Sequence, residues 1–210
     1  MELPTEATAV TTGANPRAHR PERVSRPLAI LVCGAPGSGK STVGALIARQ
    51  LRAAMLDLDT ATASLTAVIS ALHGAIDLDD PELARLTRAA RYETITGLAE
   101  DNLAAGMSAV MVAPFTTERR DPEAWERLQR RMDQVGASTT MVWLRISADD
   151  VLRRVEERGA GRDLAKLRGD WPAGLDLDPP SVPHIEVDAL LSPAINAATV
   201  LSSLPAEQVS

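Results

Sequence analysis

Gly34-Ala35-Pro36-Gly37-Ser38-Gly39-Lys40-Ser41-Thr42 is the stretch on which the reading of this chain turns. It satisfies the pattern G-x-x-x-x-G-K-[ST], and it lies between an apolar run, Leu28 to Cys33, and a helical pattern, Ser41 to Arg52. With 13 glycines, two lysines and 29 serines plus threonines among 210 residues, the pattern would arise by chance in about one such chain in a thousand. A glycine-rich turn that merely enters a helix is the competing reading, and the scarcity of lysine weighs against it. Glycines let the backbone wrap inward, so that successive N–H groups and the positive end of the following helix face an anion. The residues Gly34, Ala35, Pro36, Gly37, Ser38 and Gly39 are therefore expected to cradle a polyphosphate. Lys40 is expected to bridge β- and γ-oxygens, and Ser41 to ligate Mg2+. Thr42 stands where it can reach the α-phosphate, or where an ordinary helix-surface threonine would stand.

Outward from this loop the chain alternates strands and helices. Leu28 to Cys33 reads as a strand buried on both faces. Ala54 to Leu58 reads as the second strand, and 60–105 as a mostly helical region with Leu83, Leu86, Ala90, Tyr92, Leu98 and Leu103 at helical spacings. Ala109 to Ala113 is a third strand stopped by Pro114. Asp121 and Pro122 open a helix that runs to about Val135, and Thr139 to Ile146 is a fourth strand. Asp149 and Asp150 give an acidic first turn to a helix through Arg158. Residues 159–182 hold four glycines and three prolines among charged residues, the composition of a lid or ordering loop. Pro183 to Val187 is a brief last strand, and Ser192-Pro193 opens a final helix through Leu204. The alternation predicts an α/β fold: a three-layer α/β/α sandwich around a five-stranded parallel sheet with a lid segment. Residues 1–27 are expected to be a disordered tail, 28–204 the domain, and 205–210 a short polar tail.

Composition narrows the partners. Twenty-eight acidic against 22 basic side chains give a net charge of -6, which argues against coating nucleic acid or an anionic membrane. Only Tyr92, Phe115, Trp125, Trp143 and Trp171 are aromatic, too few for base-stacking platforms. Cys33 is the single cysteine, so neither a disulfide framework nor a Cys/His zinc site can be assembled. The N-terminal stretch has no apolar segment of the secretory kind, and no window is apolar enough to span a membrane. A cytoplasmic protein, monomer or homodimer, is the expectation.

The carboxylates nearest the loop in sequence are Asp57 and Asp59, alternating with Leu56 and Leu58. As a continuous strand, the period of 2 would point both to one face at the C-terminal end, beside the phosphate loop. A carboxylate there can accept a proton from an attacking hydroxyl or hold water on Mg2+. The competing reading has Asp59 capping a helix at Thr60, with Asp57 solvated. Arg154, Arg158 and Arg162 recur every four residues into the glycine-rich segment, so a closing lid would bring Arg158 and Arg162 over the phosphates. An exposed helix face paired with Glu156 and Glu157 competes with that reading. Arg91 beside Tyr92 is a candidate clamp for a hydroxylated or anionic substrate, and Phe115, Arg119 and Arg120 are expected to face the same crevice.

Taken with the phosphate loop, these features resemble the small P-loop kinases related to shikimate, gluconate and chloramphenicol kinases. The resemblance covers about 28–204 and rests on Gly34 to Thr42, Asp57-x-Asp59, the strand from Gly106 to Phe115, the Arg-rich segment 153–168 and Val187-Asp188 before a helix. It implies ATP and Mg2+ as cofactors, a small-molecule acceptor, and D-x-D carboxylates that bind substrate hydroxyl or metal. On that basis Lys40, Asp57 and Arg158 are the expected catalytic residues, Ser41 and Asp59 the expected metal partners, and Asp57, Asp59 and Arg91 the expected acceptor contacts. The sequence departs from the pattern at the third strand, which ends Val112-Ala113-Pro114 without an aspartate. No guanine-reading Asn/Thr-Lys-x-Asp segment is present, since the only other lysine, Lys166, is followed by Leu167 and Arg168. Phosphoryl transfer from ATP to a small-molecule hydroxyl is the leading expectation. The alternatives are a nucleotide or nucleotide-sugar kinase and a nucleotide-binding regulatory ATPase.

Overall fold

The structure, a computed structural model, describes residues 26–74, 80–158 and 175–205. Its strands are β1 (Leu28–Gly34), β2 (Ala54–Asp57), β3 (Ala109–Val112), β4 (Ser138–Arg145) and β5 (Ile185–Asp188). They form one five-stranded sheet in the order β2-β3-β1-β4-β5, and every pairing is parallel. The described helices are α1 (Lys40–Leu51), α2 (Leu58–His73), α3 (Pro81–Ala104), α4 (Thr116–Arg120), α5 (Pro122–Gln134), α6 (Ala148–Arg158) and α7 (Pro193–Ser203).

All seven residues of β1 are buried, which is why they read as one unbroken apolar run. Their alternation divides the core. Leu28, Ile30 and Val32 pack with Val43 and Ile47 of α1, Val151 and Val155 of α6, and Val200 of α7. Ala29, Leu31 and Cys33 pack with Ile95, Ala99 and Leu103 of α3 and Trp125, Leu128 and Met132 of α5. Burying each Leu or Ile side chain contributes about 1.5–3 kcal/mol, so the two faces hold the helices as outer layers. The chain leaves β1 toward β2 and β3 on one side and reaches β4 and β5 on the other. The strand order therefore reverses at β1, and the carboxyl end of β1 is where such sheets bind ligands. Gly44 brings α1 close to the sheet: a Cβ there would stand 2.6 Å from Val112 Cγ2.

Several expectations need correction. The second strand stops at Asp57, and Leu58 already belongs to α2, because the Asp57 side chain accepts from Asp59 N and Thr60 N and so starts the helix. Asp57 and Asp59 do not alternate on one strand face. The short helix α4 was not foreseen. Arg26 and Pro27, placed in the tail, are tied down: Arg26 pairs with Asp133 at 2.7 Å, and Pro27 C=O accepts from Ser138 N at 2.9 Å. The remainder of the tail, most of the lid segment with Arg162 and Trp171, and residues 206–210 lie outside the described residues.

Candidate active site

The loop after β1 is shaped by positive backbone angles. Gly34, Gly37 and Gly39 have φ of 145°, 76° and 92°, conformations open to glycine and strained for other residues. A side chain at Gly34 would stand 2.9 Å from the Leu144 carbonyl and 3.0 Å from Ser38 Oγ. Gly39 is the N-cap of α1 and offers no side-chain cap, and the first turn holds no acidic residue. The helix thus presents its positive end to the loop's concavity. Ser38 is 2% exposed, and its hydroxyl has no hydrogen-bond partner among the described residues. A buried orphan hydroxyl in an anion cradle is the arrangement a bound phosphate would complete. Lys40 reaches back along the loop, its Nζ donating to Ala35 C=O at 2.8 Å.

Ser41 points the other way. Its Oγ donates to Asp57 Oδ2 at 2.7 Å, while Asp57 Oδ1 accepts from Asp59 N at 3.1 Å and Thr60 N at 3.2 Å. One carboxylate therefore caps α2 and meets the hydroxyl expected to hold a metal. Asp59 is turned away: it pairs with Arg91 at 2.5 Å, and Arg91 Nε donates to Thr62 Oγ1 at 2.9 Å. The partner of Ser41 is thus Asp57, not Asp59. Among the described residues no cluster of three or more His, Cys, Asp or Glu could hold a metal. One hydroxyl beside one carboxylate suits Mg2+, which keeps several waters and draws further ligands from substrate phosphates.

Beyond the loop lies a cavity of about 320 Å³. Ser38, Gly39, Thr42 and Val43 line it from the loop and α1, Arg154 and Glu157 from α6, and Ala189, Leu191, Pro193 and Asn196 from the β5–α7 turn and helix. Arg154 spans it: NH1 donates to Gly37 C=O at 3.1 Å and NH2 to Ala189 C=O at 2.5 Å. Arg154 is therefore a fixed brace on the phosphate loop. Arg158 ends α6 at the border of the described residues.

Phe115 and Arg119 are buried rather than exposed to a crevice, and Arg120 is half-exposed at the surface. Phe115 is 1% exposed and packs edge-on against Tyr92, centroids 5.7 Å apart, with its backbone in the left-handed region at φ 45°. Its N–H donates to Tyr92 Oη at 3.1 Å, and burial pushes the Tyr92 phenol up to about 12. Arg119, 2% exposed, pairs with the half-buried Asp176 and donates to the Asp176 and Asp178 carbonyls. Arg120 joins from the surface, contacting both Asp176 and Asp178. Eight residues placed in the lid, 175–182, are thus pinned to α4, further secured by Ser181 N donating to Arg119 C=O at 2.8 Å. Glu118 was not singled out by sequence: burial pushes its carboxyl above the usual range, and Oε2 has no partner among the described residues. Nor was Asn196, which sits in no motif, and Arg154, read from the sequence only as part of the arginine repeat, is brought to the loop by the fold.

A parallel sheet whose first strand runs into a glycine-rich anion cradle, a lysine and a metal-competent Ser–Asp pair defines the class of P-loop nucleotide-binding domains. The AAA domain family model matches residues 30–168, and the chain belongs to that family. Solved structures share the fold. A candidate kinase of Chloroflexus aurantiacus superposes with TM-score 0.60 at 22% identity, covering 86% of this chain and all of that one. An adenosine phosphosulfate (APS) kinase of Mycobacterium tuberculosis, in complex with AMPPNP and APS, gives 0.56 at 19% identity over 84% and 96% of the two chains. A gluconokinase of Sinorhizobium meliloti gives 0.52 at 19% identity over 84% and 91%. Comparison with curated protein sequences finds no match.

Proposed function

We propose that this chain is an ATP- and Mg2+-dependent phosphotransferase that moves the γ-phosphate to a hydroxyl of a small molecule. The observation that carries the reading is the 2.7 Å contact between Ser41 and Asp57 at the mouth of the phosphate loop. Family membership and the fold shared with kinases support it. The backbone of Gly34 to Gly39, with the Ser38 hydroxyl and Thr42, holds the polyphosphate. The cavity beyond Thr42 takes the nucleoside. Ser41 and Asp57 hold Mg2+, which neutralises charge on the β- and γ-phosphates when bound.

Lys40, now donating to the Ala35 carbonyl, would bring its ammonium to the phosphates. Asp57 accepts a hydrogen bond from the Ser41 hydroxyl, and its carboxylate would either share in holding Mg2+ or orient and deprotonate the acceptor hydroxyl. Asp59 and Arg91 form a charged pair at the entrance between α2 and α3, placed to receive hydroxyl or anionic groups of an acceptor. Arg158 and Arg162, whose side chains lie outside the described part of the structure, would complete the charge neutralisation, as the sequence expectation has it.

The test is a panel of hydroxylated metabolites, nucleosides, nucleotide sugars and aminoglycoside or phenicol antibiotics, incubated with ATP, Mg2+ and the full chain. A product one phosphoryl group heavier than its acceptor is expected. ATP bound or slowly hydrolysed with no phosphorylated acceptor would instead support a regulatory ATPase, a reading that the missing aspartate at the end of β3 favours.

A further inference from the structure

Ion pairs gather at the carboxyl ends of β2 and β3, on the far side of the phosphate loop from the cavity. Asp57 ends β2 in register with Val112 of β3, and Asp59, two residues on, pairs with Arg91 of α3. Tyr92, next to Arg91, accepts from the N–H of Phe115, the residue that caps α4, so α2, α3 and α4 meet at this end of the sheet. From α4, Arg119 and Arg120 pair with Asp176, and Arg120 also with Asp178. This second group reaches toward the loop as well. Burial pushes the Cys33 thiol, at the end of β1, up to about 12, and the charges that act on it next are those of Arg119 and Lys40.

The pairs share an orientation: the guanidinium lies inside and a carboxylate outside. The Arg91 side chain is 24% exposed and that of Asp59 80%. Arg119 is 2% exposed against 25% for Asp176. Arg120, at 49%, stands between Asp176 beneath it and Asp178, at 80%, outside it. Arg88 is exposed but lies over the Tyr92 ring at 5.0 Å, within range of the Glu118 charge. A solute arriving from water therefore meets carboxylate oxygens first, with the arginines behind them already engaged. Asp57 is matched by Mg2+ when the metal binds. That leaves Asp59, Asp176 and Asp178 against Arg91, Arg119 and Arg120, with no excess of positive charge among these pairs to hold an anion. A carboxylate, sulfate or phosphate on the acceptor would have to displace an aspartate from its arginine and then share the space with it, and like charges so placed repel. A protonated amine instead donates to the outer oxygens with every pair intact.

We infer that the phosphoryl acceptor is a hydroxylated amine, positively charged at neutral pH, whose ammonium group is read by the outward carboxylates of Asp59 and Asp178. The inference rests on the proposed phosphotransfer and adds the charge class of its acceptor. It narrows what the Asp59–Arg91 pair receives to hydroxyl and amino groups. The reaction is otherwise the one proposed: the acceptor oxygen bonds to the γ-phosphorus, the bond from that phosphorus to the β–γ bridging oxygen breaks, ADP leaves, and the hydroxyl proton is released.

The experiment gives the full chain ATP, Mg2+ and matched sets of acceptors in which one position of a hydroxylated scaffold carries an amine, a hydroxyl or a carboxylate: hexosamines, hexoses and hexuronic acids, and amino, neutral and acidic cyclitols and nucleosides. Products are followed by mass and the best set by kcat/KM. The amine member of its set is expected to be turned over best, with a KM that rises as salt is added. In the double variant Asp59→Asn with Asp178→Asn, which keeps the side-chain shapes and removes two exposed charges, KM for the amine should rise about threefold to tenfold and its salt dependence should flatten. The carboxylate member, facing Arg91 and Arg120 freed of these partners, should lose less or gain. A neutral or carboxylate member turned over better than its amine counterpart, or an amine KM that does not move in the folded double variant, overturns the inference and leaves the phosphotransferase reading standing. ATP bound with no member of any set phosphorylated overturns both.

Discussion

Asp57 carries two duties that substitutions can separate. Its Oδ1 caps α2 and its Oδ2 meets Ser41. Asparagine caps helices as well as aspartate does, but it carries no charge for a metal and no base for a hydroxyl. Asp57→Asn is therefore expected to melt within about 1 kcal/mol of the parent protein while phosphoryl transfer falls by about a hundredfold or more. Chemical unfolding and a product assay on the same sample check the pair. Glu118 gives a residue-scale prediction of the opposite kind. Burial raises its carboxyl in the folded chain, so the stability linked to it is fully present below the unfolded carboxylate range and is lost as pH rises through the folded value. Glu118→Gln removes that loss. Urea melts at acid and neutral pH should show the variant gaining on the parent protein as the pH rises; a constant difference between them would show that the carboxyl does not titrate differently on folding.

At the scale of elements, the turn that ends α1 and the glycine within it are the most exposed to test. Arg52, exposed, takes the left-handed conformation at φ 51° and its N–H closes the helix on Ala48 and Arg49 carbonyls. Arg52→Gly should stabilise by about 0.5–1 kcal/mol, since glycine adopts that conformation without the Cβ penalty. Gly44→Ala should do the reverse. Alanine gains about 1 kcal/mol in helix propensity, yet its Cβ would meet Val112 at 2.6 Å, and overpacking of this kind costs about 1–3 kcal/mol. A folded Gly44→Ala protein with raised stability would mean that α1 can lift off β3 freely. Such packing is not legible in sequence, whereas the elements themselves largely were. The β1 run and the loop motif declare themselves because burial on both faces and a phosphate cradle each demand particular residue types. The boundary between β2 and α2 did not, because aspartate suits both a strand end and an N-cap, and only the side-chain bonds of Asp57 decide between them. Helix α2 misled more deeply: its hydroxyl residues Thr62, Thr66 and Ser70 are buried while Leu65 and Leu72 are exposed. Thr62 is buried without penalty because its hydroxyl bonds to Leu58 C=O and receives Arg91, a saturation that hydrophobic periodicity does not register.

Across the whole molecule, the phosphate loop is braced from one side by Arg154 of α6 and faced from the other by Asp57 of β2, while Arg119 and Asp176 join α4 to the segment that leads into β5. Arg119 is buried and bonds to the Asp176 and Asp178 carbonyls, while the partly exposed Asp176 keeps Arg120, so Arg119→Ala should lower the unfolding free energy by about 1.5–3 kcal/mol. Burial works against the charge of Asp176, but hydrogen bonds from Arg120 and Arg119 hold its carboxyl below the usual carboxylate range. The stability linked to Asp176 is then present above about pH 4 and lost as the pH falls through the lower folded value, and Asp176→Asn should abolish that part of an acid-unfolding curve. These long-range ties could not be read from sequence, because residues more than fifty positions apart meet only once the strand order is known. The arginine repeat 154, 158, 162 looked uniform along the chain, yet Arg154 became a brace whose partners, Gly37 and Ala189, lie on two other elements. What the sequence did make plain was the centre: one of two lysines in an acidic chain, set in a glycine loop after a buried strand. The central claim is that this centre transfers phosphate to a small-molecule hydroxyl. Its most direct measurement is ATP-dependent phosphorylation of an acceptor, followed by mass, for the parent protein and Lys40→Ala at matched nucleotide occupancy. The account predicts a phosphorylated acceptor with the parent protein and a loss of about a hundredfold or more with the variant; ATP bound by the parent protein with phosphate passing only to water would contradict it.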